Sequence, residues 1–228
     1  ISKSPHDNMG FFNDNFRLGV NWYKSFFPTI FTRNKIKSEF GNFLAFDVTT
    51  TYMEEESTAN NVYQIKPNMK IIVILRNPVD RAYSQYHLSL REKAEKRSFE
   101  DVLEENMNRL DKESHERYEI KPKFSAEGNN YLKKGLYAQQ LRHWLKIFPR
   151  ENILILSTEE FESNQQAIYN KIFEFLNISQ FEVKNTEKME KGSYSQMKSE
   201  TRSLLLDYFR SHNNELFKLI NKKFDWEK

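Results

Sequence analysis

The chain has 228 residues and a formal net charge of +3, and 29% of its residues are charged. That length suits one α/β domain or, less well, two small ones, and no apolar run approaches the roughly 20 residues that span a bilayer. The mild charge does not by itself indicate a nucleic-acid binder, although it suits a local basic pocket for an anion. Cysteine is absent, which excludes disulfides, a thiolate nucleophile and cysteine metal ligands.

The first third of the sequence predicts a polar loop, a set of packed aromatic side chains and one short strand. Residues 1–10 are polar, and residues 11–28 are dense in Phe, Tyr and Trp, which indicates short helical turns whose rings pack in a core. The run NFLAFDVTTTY at residues 42–52 begins as a strand and ends in threonines. Residues 54–68 are polar, and we expect them to be helical in part.

The central stretch, MKIIVILRNPVDRAYSQYHLSLR at residues 69–91, predicts a strand followed at once by a helix. The apolar run at residues 71–75 indicates a strand buried on both faces, as in parallel sheets. Pro78 then suits the first position of a helix, which we expect to end near residue 97. Open α/β sheets bind ligands at such turns. Arg76, the helix N-terminus and the Ser84 hydroxyl suit an anionic phosphate; the alternative is a capped helix with a surface arginine.

The second half predicts further helices and another strand. Ser98 is a candidate N-cap, and residues 110–130 are charged without periodicity, which predicts a flexible loop. Basic residues of that loop could contact an anionic glycan, although a plain exposed loop is the alternative. The run NILILS at residues 152–157 predicts a second buried strand. Apolar residues at helical spacing predict three more helices, at residues 138–149, where Pro149 closes the helix, and at residues 168–176 and 199–222.

Taken together, these motifs resemble the sulfotransferase family that uses 3′-phosphoadenylyl sulfate (PAPS), particularly its carbohydrate and heparan-sulfate type members and their bacterial relatives. LRNPVDRAYSQY resembles the family's 3′-phosphate-binding segment, in which an Arg and a Ser eight positions later hold the phosphate; Arg76 and Ser84 fill these positions. Three further patterns occur along the chain in the same order as in the family: FF…G…WY…FP, DVTTTY and G-x-Y…W-L…F-P…I-L-I-L. The resemblance implies an α/β, P-loop-type sulfotransferase fold: a central parallel sheet flanked by helices, in a single domain over residues 1–228.

The resemblance also implies further binding residues. The segment MEKGSYSQM at residues 189–197 matches in part a family loop that wraps the nucleotide phosphates, although the family's Arg is missing. Glycine allows the backbone to approach phosphate closely. The cofactor-binding candidates in this loop are Lys191, Gly192, Ser193 and Tyr194. The candidates near the acceptor are Asp47, Thr49 and Tyr137, whereas Val48 replaces a Lys found in one version of the family motif.

The general base is left open. In the family a Glu precedes the FF pair, and counting back from Phe11 places Asn8 there, which cannot usefully accept a proton. His6 and Asp7 lie beside it, and either could deprotonate a sugar hydroxyl or amine. A second alignment, of KSPH at residues 3–6 with the family's Lys-Glu-Pro-His, puts Ser at the Glu position and keeps His6. The alternative for both candidates is a solvated polar loop.

One family element has no counterpart in the sequence. The family's Lys-x-Gly-Thr-Thr loop, which cradles the 5′-phosphosulfate, should lie a few tens of residues before Ile1. Two interpretations follow: an N-terminally truncated copy of a full enzyme, without the first strand of its sheet, or a domain that has lost the loop and its catalysis. Truncation is the favoured hypothesis. The sequence does not identify the compartment, which would be the cytoplasm if the protein is bacterial and the Golgi lumen if it is eukaryotic with a lost N-terminal anchor.

The predicted activity is in-line transfer of a sulfonate from PAPS to a hydroxyl or amine, with adenosine 3′,5′-bisphosphate (PAP) as product. The protein contributes mainly positioning and hydrogen-bond donors, and the resemblance favours a carbohydrate acceptor. The scheme needs no metal, and the five histidines do not pair at metal-site spacing. No nucleic-acid partner and no membrane segment in this chain are expected. The alternatives are a P-loop nucleotide kinase and a non-catalytic module that binds a nucleotide or an anionic glycan.

Overall fold

The computed structural model describes residues 2–3, 8–115, 130–183 and 194–227. The chain divides into two compact units: a first unit of Ile1–Ile71 with Gln140–Ile153, and a second unit of Ile72–Gln139 with Leu154–Lys228. The single domain predicted from the sequence stays a prediction. None of the described helices has both the length and the apolar character that a membrane crossing needs.

The first unit contains two very short strands and several helices. Strands β1 and β2 pair in parallel, with Ser2 opposite Ala45 and Lys3 opposite Phe46. The 42–52 segment is thus a strand over only two residues, followed by turns. The elements of this unit are β1 (Ser2–Lys3), α1 (Gly19–Ser25), α2 (Ile30–Phe40), β2 (Ala45–Phe46), α3 (Glu56–Ile65) and most of α6 (Tyr137–Ile147).

Aromatic side chains form the core of the first unit, as the composition of residues 11–28 predicts. Phe11 and Phe12 are buried, and the ring of Tyr23 stacks on Phe11 with the centroids 4.4 Å apart. The expected short helical turns are present as a 3-10 turn at Phe16–Leu18 and the helix α1. Because flat rings bury much area in little chain length, a segment of short turns can supply this core.

The second unit is built on a two-stranded sheet with helices packed around it. Strands β3 and β4 are hydrogen-bonded neighbours, and the strand-to-helix change after β3 occurs at Pro78, as predicted. The elements are β3 (Ile71–Leu75), α4 (Pro78–Arg91), α5 (Phe99–His115), β4 (Ile153–Ser157), α7 (Thr158–Ser163), α8 (Gln165–Phe175) and α9 (Ser199–Ile220).

The main core of the second unit lies where α4, α5 and α9 meet. Fully buried side chains from each helix contribute, including Val79, Leu103 and Phe209. Gly135 allows the closest approach, because a Cβ there would lie 2.9 Å from both Phe209 and Pro78. The absence of a side chain at Gly135 therefore lets the chain there pack directly against the first turn of α4 and against Phe209 of α9.

The burial expected for β3 is wrong for one of its faces. Val73 and Leu75 are buried, but Ile72 is 36% and Ile74 is 51% exposed. Successive side chains of a strand point to opposite faces of a sheet, so the exposed pair shares one face. In the part of the chain that the structure describes, nothing covers that face well enough to bury it.

The largest differences from the predicted helix boundaries are at the ends of α4 and α5. Helix α4 ends at Arg91 rather than near residue 97, because Lys93 has a left-handed φ of 59° and the Ser89 carbonyl accepts the backbone N–H groups of Ala94 and Glu95. The Ser98 cap is confirmed, since the Asp101 N–H donates to its hydroxyl. Helix α5 continues to His115, so the prediction of a flexible loop from residue 110 onwards is wrong for the first six residues of that segment. Residues 116–129, with most of the basic residues of that loop, lie outside the described residues.

Candidate functional site

The turn between β3 and α4 carries the predicted phosphate-binding arginine. Arg76 directly follows β3, and Asn77 caps α4 by accepting the Val79 N–H at 3.0 Å. The Arg76 side chain is half-buried. Among the residues that the structure describes, no carboxylate forms an ion pair with its guanidinium and no side-chain hydrogen bond engages it. A half-buried guanidinium in this state is well suited to an anionic ligand.

The backbone of this turn, in contrast, is held by hydrogen bonds at both a carbonyl and an N–H group. The Tyr137 hydroxyl donates to the Arg76 carbonyl oxygen at 2.9 Å, and the next N–H, that of Asn77, donates to Glu159 Oε1 at 2.8 Å. The other carboxylate oxygen, Oε2, accepts the indole N–H of Trp226 at 3.0 Å. Asn77 Nδ2 also donates to the Trp226 carbonyl at 3.4 Å. Three separate parts of the second unit thus hold the peptide that follows Arg76.

Two acid groups around this turn are shifted by their surroundings. Burial tends to raise the pKa of Glu159, but the hydrogen bonds from the Asn77 N–H and the Trp226 indole stabilise the carboxylate, and its pKa is lowered overall. Burial raises the pKa of Tyr137 to about 12. Glu159 is therefore a fixed negative acceptor and Tyr137 a neutral donor near pH 7.

Ser84, the second predicted phosphate contact, lies on α4 and is half-buried. Its neighbours on the helix surface contact the described end of the predicted phosphate loop. Tyr194 stacks on His87 with ring centroids 4.2 Å apart, and the Tyr83 hydroxyl donates to the Ser195 carbonyl at 3.1 Å. Because residues three apart on a helix are surface neighbours, Tyr194 is held near the Ser84 face of α4. Lys191, Gly192 and Ser193 lie outside the described residues.

The acceptor-site candidates of the first unit form a hydroxyl–carboxylate cluster. Asp47 Oδ2 accepts the Tyr52 hydroxyl at 2.6 Å and the Tyr23 hydroxyl at 3.4 Å, and Oδ1 accepts the Thr49 hydroxyl at 3.4 Å. The Tyr52 oxygen in turn accepts the Phe11 N–H at 3.1 Å. Burial raises the pKa of Asp47 against the effect of these hydroxyls, and burial also raises the pKa of both tyrosines. The Asp47 side chain thus ties the segment around Phe11 to the segment after β2.

The loop before the aromatic segment is held by Asn8. Its backbone N–H donates to the Val48 carbonyl at 2.9 Å, and its side-chain oxygen accepts the Thr50 N–H at 3.0 Å. Asn8 has a left-handed φ of 55°, which Asn tolerates better than most residues. The two candidate bases, His6 and Asp7, lie outside the described residues, so the base stays a prediction.

Neither Glu159 nor Trp226 was predicted from the sequence as a site residue. Tyr137 was predicted near the acceptor, whereas in the structure its hydroxyl holds the backbone of the β3–α4 turn. Tyr137 is buried with its hydroxyl engaged by the Arg76 carbonyl; contact with the acceptor stays a prediction. One signal was available for Glu159, because Asn77 follows β3 and Glu159 follows β4, and ends of neighbouring strands meet at one edge of a sheet. No group of three or more His, Cys, Asp or Glu among the described residues is arranged as a metal site.

Comparison with protein families and with curated proteins gives consistent matches. The model of the sulfotransferase domain family matches residues 56–228. The chain is 24% identical, over its whole length, to the membrane-associated sulfotransferase kil1 of Dictyostelium discoideum, of which it covers 61%. It is 28% identical to bifunctional heparan sulfate N-deacetylase/N-sulfotransferase 2 of Homo sapiens, with 97% of the chain and 26% of that protein aligned. The chain therefore spans from about a quarter to about three fifths of the length of these relatives.

A solved structure shares the fold. The crystal structure of a sulfotransferase from Alicyclobacillus acidocaldarius superimposes with a TM-score of 0.70 over 99% of this chain and 88% of that chain, at 24% identity. This similarity confirms the predicted α/β sulfotransferase fold.

Proposed function

This chain belongs to the sulfotransferase domain family, and we propose that it transfers a sulfonate from PAPS to a hydroxyl or amine of a carbohydrate acceptor. The observation that carries the proposal is the β3–α4 turn, where a half-buried arginine has no ion-pair partner among the described residues while its backbone is held from both sides. An arginine fork in this state matches the geometry and charge of a phosphate group.

In the proposed site, Arg76 and Ser84 bind the 3′-phosphate of the nucleotide. Helix α4 begins two residues after Arg76, and Ser84 adds a neutral donor from the same helix. The loop from Lys191 to Tyr194 is the candidate for the other side of the nucleotide, because its described end contacts α4 at His87. The roles of Lys191, Gly192 and Ser193 stay predictions.

The reaction is an in-line displacement at sulfur. A lone pair of the acceptor oxygen or nitrogen forms the new bond to sulfur, and the bond between sulfur and the bridging phosphate oxygen breaks with its electron pair leaving on PAP. The acceptor's proton goes to a base. Charge spreads over the sulfonate oxygens and the leaving phosphate, so the protein acts by orientation and by donors aimed at these oxygens.

His6 and Asp7 are the candidate bases in this scheme, and Asp47 is not. The Asp47 carboxylate accepts three hydroxyl groups and holds the segment around Phe11 through Tyr52. A carboxylate in this position would break these bonds if it took up a proton and turned towards an acceptor. We therefore assign Asp47 and Thr49 to holding the acceptor side of the first unit in shape.

A carbohydrate is the favoured acceptor because relatives with similar sequences include heparan sulfate N-deacetylase/N-sulfotransferases. These relatives are named as N-sulfotransferases, which makes an amino sugar the first substrate to test. An oxygen acceptor on the same sugar should be tested in parallel, because the described residues do not separate an amine from a hydroxyl.

The test is calorimetric titration of PAP into the chain, into a version extended at its N-terminus by the upstream coding sequence, and into Arg76→Ala. We expect Arg76→Ala to weaken PAP binding roughly 10- to 100-fold, because a charge-assisted phosphate contact is lost. Arg210→Ala is the matched control, since Arg210 is an exposed arginine on α9 that pairs with Asp207; it should leave the affinity unchanged. PAP binding that is absent from both lengths of chain, or that survives Arg76→Ala unchanged, would overturn the proposal.

A further inference from the structure

We propose that Glu159 and Trp226 are positioning residues for the 3′-phosphate, acting by fixing the peptide that presents Arg76. This inference rests on the proposed function of the β3–α4 turn. It gives a role in nucleotide binding to two residues that lie far in sequence from the phosphate contacts. Glu159 is on α7, and Trp226 is in the segment that follows α9.

The first step is that both ends of one peptide group are held. The carbonyl of Arg76 and the N–H of Asn77 belong to the same planar unit. The Tyr137 hydroxyl donates to that carbonyl at 2.9 Å, and Glu159 accepts that N–H at 2.8 Å. A peptide plane gripped at its oxygen and its nitrogen cannot rotate without breaking one of the two bonds. Its orientation determines where the Arg76 side chain leaves the backbone.

The second step is that Glu159 is itself held by Trp226. The indole N–H donates to Glu159 Oε2 at 3.0 Å, so one carboxylate bridges the turn and the C-terminal segment. Burial opposes the charge on this carboxylate, yet its hydrogen bonds keep the pKa of Glu159 below its usual value. Without the indole donor, the carboxylate would keep the Asn77 N–H but lose the hydrogen bond that its Oε2 accepts from Trp226.

The third step is that Trp226 is immobilised by packing. Its side chain is 1% exposed, its ring stacks on Phe224 with centroids 4.8 Å apart, and it also contacts Phe217 and Tyr137. Its carbonyl accepts the Asn77 side chain. Tyr137 and Glu159 therefore both contact Trp226 and both grip the peptide after Arg76, which makes Trp226 the common support of the turn.

A binding site must be held to roughly 0.5 Å by such supporting groups to realise its full affinity. The inference therefore predicts a defect specific to the 3′-phosphate. Adenosine 5′-monophosphate has the same base, ribose and 5′-phosphate as PAP but lacks the 3′-phosphate. The ratio of the two dissociation constants isolates the contribution of the Arg76 turn from general effects on folding.

The main variant is Trp226→Phe, which keeps an aromatic ring for packing and removes the N–H. Trp144→Phe is the matched control: Trp144 is 5% exposed, and its indole N–H has no hydrogen-bond partner among the described residues. We expect Trp226→Phe to weaken PAP binding roughly three- to tenfold, about the net contribution of one ordinary hydrogen bond, because Arg76 is kept and only its support is loosened, and to leave adenosine 5′-monophosphate binding unchanged. Trp144→Phe should change neither.

Glu159→Gln is the second variant, in case Trp226→Phe does not fold. The amide has one oxygen in place of two, so it can accept from Asn77 or from Trp226 but loses the bridge, and we expect the same selective loss of PAP affinity. Equal weakening of both nucleotides, or an unchanged ratio in both folded variants, would overturn the inference. If the unaltered chain itself does not prefer PAP to adenosine 5′-monophosphate, the proposed function is wrong. The inference, which depends on the proposed function, is then wrong as well.

Discussion

At the β3–α4 turn, neighbouring side chains hold the backbone, and the arginine side chain forms no ion pair with any residue that the structure describes. After β2, in contrast, the side chain of Asp47 is itself what holds the backbone. Arg76 has its carbonyl bound by Tyr137, and none of the described residues forms an ion pair or a side-chain hydrogen bond with its guanidinium. Asp47 has both carboxylate oxygens engaged by hydroxyl groups. Both residues match motif positions of one family, yet their hydrogen-bond partners differ. The Arg76 side chain is suited to binding a ligand, and the Asp47 side chain to stabilising the fold.

This difference separates binding from stability. A side chain that makes no hydrogen bond to the described residues can be removed with little effect on folding, whereas a side chain that satisfies several partners leaves them unpaired when it is removed. A motif match therefore identifies a position, and the hydrogen-bond partners of that position decide which measurement a substitution will change. Arg76 and Asp47 are a matched pair for testing this rule within one chain.

The largest effect on stability is expected from Asp47→Ala. Removing the carboxylate leaves the Tyr52, Tyr23 and Thr49 hydroxyls without their shared acceptor, and we expect the free energy of unfolding to fall by ~2–3 kcal/mol. Arg76→Ala should change it by less than ~0.5 kcal/mol. Urea denaturation of both variants measures the difference.

Asp207→Ala serves as the control for loss of a carboxylate. Asp207 is exposed on α9 and forms a surface ion pair with Arg210 at 2.6 Å, and such pairs contribute at most about 1 kcal/mol. If Arg76→Ala destabilised the chain as much as Asp47→Ala, the Arg76 side chain would have a structural role. The proposed contrast between Arg76 and Asp47 would then be wrong.

A smaller and sharper test compares the two tyrosines of the Asp47 cluster. Tyr52→Phe removes a hydroxyl that donates to Asp47 at 2.6 Å and accepts the Phe11 N–H at 3.1 Å. Tyr23→Phe removes one that donates to the same carboxylate at 3.4 Å. We expect losses of ~1–2 kcal/mol for Tyr52→Phe and below ~0.5 kcal/mol for Tyr23→Phe, following the lengths and number of the bonds. Equal losses would show that Tyr52 does not tie the segment around Phe11 in solution.

Signals carried by neighbouring residues predicted much of this chain. Pro78 identifies the start of α4, and Ser98 identifies the start of α5, because these residues act within one helical turn. The succession of motifs around Arg76 and Ser84 predicted the family, and the match over residues 56–228 confirms it.

Contacts between distant residues were not predicted, although the position of Glu159 after β4 was one available signal. Glu159 binds a backbone N–H that lies 82 positions away in sequence, and Trp226 lies 67 positions beyond Glu159. Nothing local marks either residue, since an acidic residue after a strand and a terminal tryptophan both have ordinary structural roles. The exposed face of β3 was missed for a related reason: a run of apolar residues does not say which neighbours will cover it.

The smallest effect, and the one that tests the electrostatic side of the comparison, is the pH dependence of stability. Burial raises the pKa of Asp47 in the folded chain above its usual 3.8, so the folded state holds more protons than the unfolded state just above that pH. The Asp47 carboxyl therefore contributes less stability as the pH rises through this window. The pKa of Glu159 is lowered below its usual 4.5 despite burial, because hydrogen bonds stabilise its charge. Its contribution is present above 4.5 and is lost as the pH falls towards the folded pKa.

Urea unfolding of the unaltered chain, Asp47→Asn and Glu159→Gln between roughly pH 3 and pH 6 measures these contributions as differences from each neutral variant. The difference for Asp47→Asn should shrink as the pH rises, and the difference for Glu159→Gln should grow. Slopes of the same sign would mean that the two carboxylates sit in equivalent environments. Opposite slopes would mean that the carboxylate of the β3–α4 turn is held charged as a fixed acceptor, while the carboxylate after β2 is held by hydroxyl groups at a cost that its burial imposes.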